Sequence, residues 1–419
     1  MKKLAIFGGS SLGKISFPTW PIFDQKEIDA VTQVVKSGHW AYLGPNEKEF
    51  EEKFSHFCGT KYGITAPNGT LTLRLAMEAL EVGPGDEVIV PGLTWQATAA
   101  SVLDVNAKPV LVDIDPDTYT IDPKAIEAAI TPRTKCIIPV HLYGRMADMD
   151  AILNIASKYK LSVIEDCAHQ HGSEWKGKRA GSMGDIGSFS LQSSKVLNCG
   201  EGGILTTNND RLAHLLHSLK NCGKPYQEGS PNMQSGNYRM TEFQSAILIA
   251  QLSRLEEQNS IREKNVRYLE EQISDIDGIK ILYRNPNVTR QAYYNWTIKY
   301  DKSAWGNVPK NVFMKAIESE LENSIECMPT YDPLNNSPLY QPNTKKTHKL
   351  TNEYWEEIRP DNFVLPNCKK AQEEAVNFFH AVLLSDKEGC DKLISAIKKI
   401  KENIDELVEY AKTLDMVAV

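Results

Sequence analysis

Four short apolar runs, at 87–91, 109–113, 136–140 and 161–166, constrain the fold of this chain more than any other feature. Each is rich in β-branched residues (Val88, Ile89 and Val90 in the first) and none alternates polar with apolar positions, so each is predicted to be a strand covered on both faces. The segments between them carry helical spacing. Asp122 stands as an N-cap before Pro123 in a helix reaching Ile130, a second helix covers 149–159, and Leu71, Leu73, Leu75, Ala76 and Leu80 line one face of a helix opening near Thr70. A further helix is predicted over 241–257. Strands alternating with helices imply an α/β fold with a mostly parallel mixed sheet. This large domain is expected over residues 26–270. Past it the pattern shifts to shorter strands at 279–283 and 294–298, a Pro- and Asn-rich stretch at 329–345, and a helix over 390–411 whose Leu393, Ile397, Ile400, Ile404 and Leu407 form one apolar stripe. Residues 271–419 therefore read as a smaller C-terminal α+β domain and residues 1–25 as an N-terminal arm, mobile over Met1 to Gly13.

With 419 residues, 41% of them hydrophobic, the chain can fill cores of this size. A net charge of -7, with Lys and Arg scattered, leaves no basic patch for nucleic acid. The eight cysteines form no CxxC pair and no Cys/His metal spacing, which points to reduced thiols, a cytoplasmic setting and no metal site. The apolar run after Lys2-Lys3 stops at Gly8, too short for a secretory signal, and no run approaches a membrane span. Gly-x-Ser-x-Gly, Walker and His-Glu-x-x-His motifs are absent.

A few residues carry chemistry. Lys195 lies between an apolar run ending at Ser190 and the turn Gly200-Glu201-Gly202-Gly203, placed like a lysine that forms a Schiff base at the edge of a sheet. Asp166 ends the run 161–166, at the strand terminus where open α/β sheets bind ligands. There it either caps the following turn or pairs with a protonated pyridine nitrogen, keeping that ring an electron acceptor. His169 is either structural or a donor to the ring's phenolic oxygen. Asn68-Gly69-Thr70 is more often a turn with an N-cap, and otherwise a phosphate cradle of free amides and a hydroxyl. Trp95 is a core residue or a flat surface for a planar cofactor. The Ser190 hydroxyl is within reach of a phosphate, and Asn237 is a polar residue in a Gly-led loop. Together these are the parts of a pyridoxal-phosphate site.

With those residues in place, the chain resembles the DegT/StrS-type sugar aminotransferases, a family of pyridoxal-phosphate-dependent transferases of fold type I, from roughly Phe17 to the last helix. The resemblance is carried by Pro45 to Phe50, Asn68-Gly69-Thr70, Gly85 to Pro91, Thr94-Trp95, Pro139-Val140-His141-Leu142-Tyr143-Gly144, Glu165-Asp166-Cys167-Ala168-His169, Gly200-Glu201-Gly202-Gly203 and Asn237-Tyr238-Arg239-Met240. It implies that Lys195 bonds the cofactor and Asp166 contacts its pyridine nitrogen. Trp95 would stack on the ring, with His169 beside the phenolic oxygen. Gly69, Thr70 and Ser190 would hold the phosphate, and Asn237 would reach the phosphate of the neighbouring subunit. A homodimer with shared active sites follows from that last assignment.

One branch of the family carries histidine where Lys195 stands and dehydrates sugars; a lysine here favours transamination, with pyridoxamine 5'-phosphate as the intermediate form of the cofactor. The segment Phe189 to Lys195, with Gln192, is similar to cyclitol aminotransferases and 3-amino-5-hydroxybenzoate synthases, as are Phe17-Pro18-Thr19-Trp20-Pro21 and His380-Ala381-Val382-Leu383-Leu384. Tyr293-Tyr294-Asn295-Trp296 is expected to shape the substrate wall. The implied reaction moves an amino group from L-glutamine or L-glutamate to a keto-cyclitol or keto-sugar, such as scyllo-inosose or 2-deoxy-scyllo-inosose, in aminoglycoside-type biosynthesis. The alternatives are a 3-amino-5-hydroxybenzoate synthase-like dehydratase, a nucleotide-sugar aminotransferase and, more distantly, a cofactor-binding regulator without turnover.

Overall fold

A computed structural model describes residues 3–227, 232–344 and 351–417, the last five by their backbone alone. Its centre is a seven-stranded sheet in the order Tyr62–Ala66, Gly203–Thr207, Ile186–Ser190, Ser162–Asp166, Thr134–Ile137, Glu87–Pro91 and Lys108–Val112. Only Gly203–Thr207 runs against the rest. Three of the apolar runs become inner strands and the fourth, Lys108–Val112, an edge strand; the sheet is covered on both faces. Val88, Val90, Cys136 and Ile164 face a core shared with the helices Gly69–Ala79 and Ala97–Asp104. Ile89, Ile137 and Val163 face another, with Phe50, Phe54 and Ile152 from the helices Pro45–Cys58 and Met149–Tyr159. Because six strands run the same way, the segments leaving Ala66, Pro91, Asp166 and Ser190 emerge on one edge of the sheet.

A smaller, antiparallel sheet follows, ordered Ile279–Ile281, Asn295–Tyr300, Ala375–Phe379 and Cys327–Pro329. Its core includes Trp296, Phe313, Phe378 and Leu393. Both cores meet along one helix, Glu242–Ile273. Its first half contributes Leu248 and Leu255 to the large-sheet core, and its second half Val266, Leu269 and Ile273 to the small-sheet core. The periodicity predicted this helix only to residue 257. Beyond it Gln258, Asn259 and Arg262 are buried where the helix passes from one core to the other, and buried polar residues erase the apolar stripe that marks a helix in sequence.

Two other expectations change. The arm read as mobile over its first residues is packed: Leu4 and Ile15 are buried in the small-sheet core, the Leu4 amide donates to Glu406 (3.0 Å) and the Ala5 amide to Glu320 (2.8 Å). Its few apolar residues are too short a pattern to show in sequence, but Ile6, Phe7, Leu12 and Phe17 join Leu4 and Ile15 against the small-sheet core. The terminal apolar stripe belongs to two helices, Lys387–Glu402 and Ile404–Val417, divided at Asn403, whose backbone leaves helical geometry (φ -117°, ψ 29°). No described helix is long and apolar enough to cross a membrane. Leu4→Ala should lower stability by about 2–5 kcal/mol, the usual cost of emptying a fully buried leucine site; urea unfolding measures this, and a mobile arm would leave the midpoint unchanged.

Candidate active site

The single strand edge gathers the site. Gly69, Thr70, Trp95, Asp166, His169, Ser190 and Lys195 all line one cavity of about 820 Å³. A second cavity of about 810 Å³, bounded by Lys53, Phe57, Arg179 and Glu256, holds none of them.

Asp166 ends its strand with the carboxylate buried. Oδ2 accepts from the Thr98 hydroxyl (3.0 Å), which in turn accepts from Thr94 (2.9 Å), and Oδ1 accepts from the Ala168 amide (3.2 Å). Burial raises the pKa above the ordinary carboxylate range, opposed by those donors and by the charge of Lys195. A cationic ring nitrogen facing this carboxylate would hold it ionised, so the donor set fits a protonated pyridine.

Gly69 opens the helix Gly69–Ala79. Asn68 caps the Leu71 amide (2.9 Å) and the Thr72 amide turns to the Asn68 carbonyl (3.2 Å), which leaves the Gly69 and Thr70 amides, at the positive end of the helix, for an anion. A Cβ on Gly69 would lie 2.7 Å from Cβ of Ser190. Only glycine lets the helix start come this close to the strand end that carries Ser190. The result is a cradle of two amides and two hydroxyls, of Thr70 and Ser190, which fits a phosphate.

Lys195 follows a tight loop closed by its own amide on the Gln192 carbonyl (2.8 Å) and by the Ser193 amide on the Gly200 carbonyl (2.8 Å). Its Nζ sits 4.1 Å from the centre of the Tyr294 ring. Burial pushes the amine down to about 8, while Asp166 draws it upward. Trp95 is 47% exposed; it is a wall of the cavity mouth rather than a core residue, with its ring 5.6 Å from that of Tyr331. His169 is buried, its Nε2 3.3 Å from the Tyr331 hydroxyl and its Nδ1 without a partner. That orphaned ring nitrogen suits a ligand oxygen. Asn237 lies outside this cavity, on an exposed turn bridged to Asn221; its expected role concerns the site of a second copy.

Three wall residues escaped the sequence reading. Tyr331 comes from the Pro- and Asn-rich stretch and is held by Tyr143, whose hydroxyl oxygen accepts from the Tyr331 amide (2.9 Å); nothing in a loop pattern marks it. Thr98 stands four residues after Thr94, a helical spacing that could have revealed it as the partner of a strand-end acid. Glu201, in the Gly-rich turn quoted for its glycines, also lines the cavity. Gln192 does line it, with its side-chain Oε1 accepting from the amide and hydroxyl of Ser194 (2.8 and 2.6 Å).

Among the described residues one grouping has metal-ligand chemistry, His141, Glu165 and Cys167, with donor atoms within 4.8 Å of one another. Its lone pairs are already committed. His141 Nδ1 accepts from the Ala147 amide (3.1 Å), so Nε2 carries the proton and donates to Glu165 (3.1 Å), which also accepts from the amides of Gly181, Met183 and Gly184.

The sequence profile of the DegT/DnrJ/EryC1/StrS aminotransferase family matches residues 21–383. The chain is 37% identical over 421 residues to an L-glutamine:2-deoxy-scyllo-inosose aminotransferase of Streptoalloteichus tenebrarius, covering 96% of this chain and 99% of that one. It is 37% identical, with the same coverage, to an L-glutamine:scyllo-inosose aminotransferase of Streptomyces griseus. In three dimensions it is similar to the crystal structure of a 3-amino-5-hydroxybenzoic acid synthase, with a TM-score of 0.79 and 28% identity over 92% of this chain and 100% of that one.

An amine attacks only when deprotonated, so the rate at which Lys195 captures added pyridoxal phosphate should rise with pH around a midpoint near 8. In Asp166→Asn the attraction that favours the ammonium is gone and the midpoint should move to lower pH. Stopped-flow absorbance on the cofactor-free protein checks both; a midpoint at the ordinary lysine value of 10.5 would mean a solvated amine.

Proposed function

The chain belongs to the DegT/DnrJ/EryC1/StrS aminotransferase family, and from that premise we propose that it transfers an amino group from L-glutamine to the ketone of a cyclitol such as scyllo-inosose or 2-deoxy-scyllo-inosose, within aminoglycoside-type biosynthesis. The protein is an aminotransferase that uses pyridoxal 5'-phosphate. One observation carries the choice of acceptor: 37% identity, end to end, to two enzymes named for amination of scyllo-inososes. The cavity supports it. Trp95, Tyr294 and Tyr331 offer aromatic faces to the C–H faces of a cyclohexane ring, and the hydroxyls of Tyr294, Tyr331 and Ser194 with the Gln192 amide offer partners to its ring of hydroxyls.

When bound, the cofactor supplies an electron sink for the carbon that gains or loses the amino group. The phosphate would rest on Gly69, Thr70 and Ser190, the ring nitrogen against Asp166 and the phenolic oxygen beside His169. Lys195, its amine near 8, is neutral often enough at neutral pH to take a proton from the amine-bearing carbon of the donor and to return one to the carbon of the acceptor. Tyr294 keeps Nζ against its ring face and so restricts the arc through which the proton moves. Thr94 and Thr98 orient the Asp166 carboxylate, while Tyr331 and Trp95 narrow the mouth and exclude water from the acidic and basic groups behind them.

We place the protein in the cytoplasm, since its eight thiols are unpaired, and read the active form as a homodimer in which Asn237 completes the phosphate site of the other copy. Its exposed position, away from the cavity of its own chain, supports that reading.

Incubation with L-glutamine and scyllo-inosose or 2-deoxy-scyllo-inosose should yield the aminocyclitol by mass spectrometry, and Lys195→Ala should abolish it. An aromatic aminobenzoate from an amino-shikimate-type precursor, with no aminocyclitol from glutamine or glutamate, would favour the dehydratase likeness instead. Shared sites have their own signature. Lys195→Ala and Asn237→Ala are each impaired alone, yet equal mixing should restore about one quarter of wild-type turnover, because half the dimers then hold one intact site of two; a mixture no better than its parts would mean that each copy works alone.

A further inference from the structure

Arg262 lies midway along the helix Glu242–Ile273, with no exposed surface, and among the described residues no carboxylate pairs with it. Burial draws its guanidinium down to about 9. Its donors go to neutral acceptors: Nε to the His380 carbonyl (3.2 Å), Nη2 to His380 Nδ1 (3.2 Å) and Nη1 to Asn259 Oδ1 (3.4 Å). Leaving a buried cation without a counter-charge is costly. What the arrangement achieves is a fixed tautomer. A guanidinium only donates, so His380 Nδ1 accepts, and the ring proton stands on Nε2, which donates to the Ser194 carbonyl at 2.9 Å.

Ser194 immediately precedes Lys195, and a second side chain grips it. The Ser194 hydroxyl donates to Gln192 (2.6 Å), so at the 2.9 Å contact with Tyr294 the phenol is the donor. Tyr294 and His380 stand one step beyond the register pair Asn295 and Phe379, at the same end of two paired strands of the small sheet. Trp20 adds a third hold, donating to the Ser193 carbonyl (3.1 Å) with its ring edge-on to His380 at 4.4 Å. The loop bearing the reactive amine is thus fastened to the small sheet and the long helix, not only to the strand from which it springs.

We propose that His380, oriented by Arg262, is a positioning residue for Lys195: together with Tyr294 it anchors Ser194, so that the place of the reactive amine is set by the small sheet. This rests on the reading of Lys195 as the residue that bonds the cofactor. The test uses the cofactor-free full-length protein. Pyridoxal phosphate is added, the product is fixed with borohydride at intervals, and its mass on the Lys195 peptide is followed, beside kcat and donor KM. His380→Leu, which can neither accept from Arg262 nor donate to Ser194, should slow capture about tenfold, the worth of one well-placed hydrogen bond, and lower kcat alike with KM within about twofold. His380→Gln, whose amide can make both contacts, should restore most of the rate; a merely structural histidine would shift the melting temperature without this pattern. Arg262→Met should behave as His380→Leu does. Should neither of those two fold, Tyr294→Phe decides, since it removes only the hydroxyl and should slow capture severalfold. Wild-type protein that fixes no cofactor on Lys195 overturns the reading of the lysine itself. Normal capture in His380→Leu, or in Tyr294→Phe where that variant decides, overturns the positioning role alone.

Discussion

Four donors converge on the carboxylate of Glu165: the Nε2 proton of His141 and the amides of Gly181, Met183 and Gly184. Burial opposes its ionisation, yet the hydrogen bond from His141, with those from the Gly184 and Gly181 amides, outweighs that and holds the group below its ordinary range. Successive residues of a strand face opposite ways. Glu165 therefore pins the end of the central strand from the side of the sheet remote from the cavity, and Asp166, one residue on, is delivered to the cavity side. The His141 ring, fixed in its tautomer by the Ala147 amide, ties the same point to the segment that follows the neighbouring strand. Asp166 needs this support. A carboxylate whose own burial favours its neutral form keeps its place and charge only where the backbone beneath it cannot shift.

Around that fixed point the cavity is assembled from opposite sides. The large sheet supplies the residues suited to the cofactor, all on segments leaving strands that run the same way. The small sheet and its connections supply Tyr294 and Tyr331, which line the cavity, and His380, which holds the lysine loop at Ser194. The helix Glu242–Ile273 holds the two together, about 48 Å long at 1.5 Å per residue, with a core at either end. Its middle is polar and buried because it lies at the junction, where Asn259 donates to the His171 carbonyl (2.7 Å) and Arg262 to His380. The packed N-terminal stretch belongs to the same junction through Trp20. Chemistry at this seam has a physical basis, since a ligand there meets rigid groups from both cores without either core being opened.

Two inner strands were legible because burial on both faces leaves no alternation to blur: the run 87–91 is the strand Glu87–Pro91, and 161–166 differs from Ser162–Asp166 by one residue, whereas 136–140 overlaps the strand Thr134–Ile137 only at its first two residues. Seven of the eight site residues named from the sequence share one cavity for a related reason. Parallel strands put their carboxyl ends on one edge, so chemistry-bearing residues just past those ends must be neighbours. Tyr331 was hidden in a stretch whose composition specifies only irregular structure, and Arg262 in a helix turn where polarity is the opposite of the usual sign of burial.

Local pattern thus carried the α/β class and the strand edge, because these follow from periodicity and from strand direction, and it put Lys195 and Asp166 at that edge. Which side chains grip the lysine loop, which tautomer His380 holds, and that Leu4 and Ile15 are packed rather than free, emerged only with the folded chain. Those outcomes depend on contacts between residues 186 or more positions apart, such as Leu4 with Glu406 or Ser194 with His380, and no local spacing encodes a contact whose two halves meet only after both cores have formed.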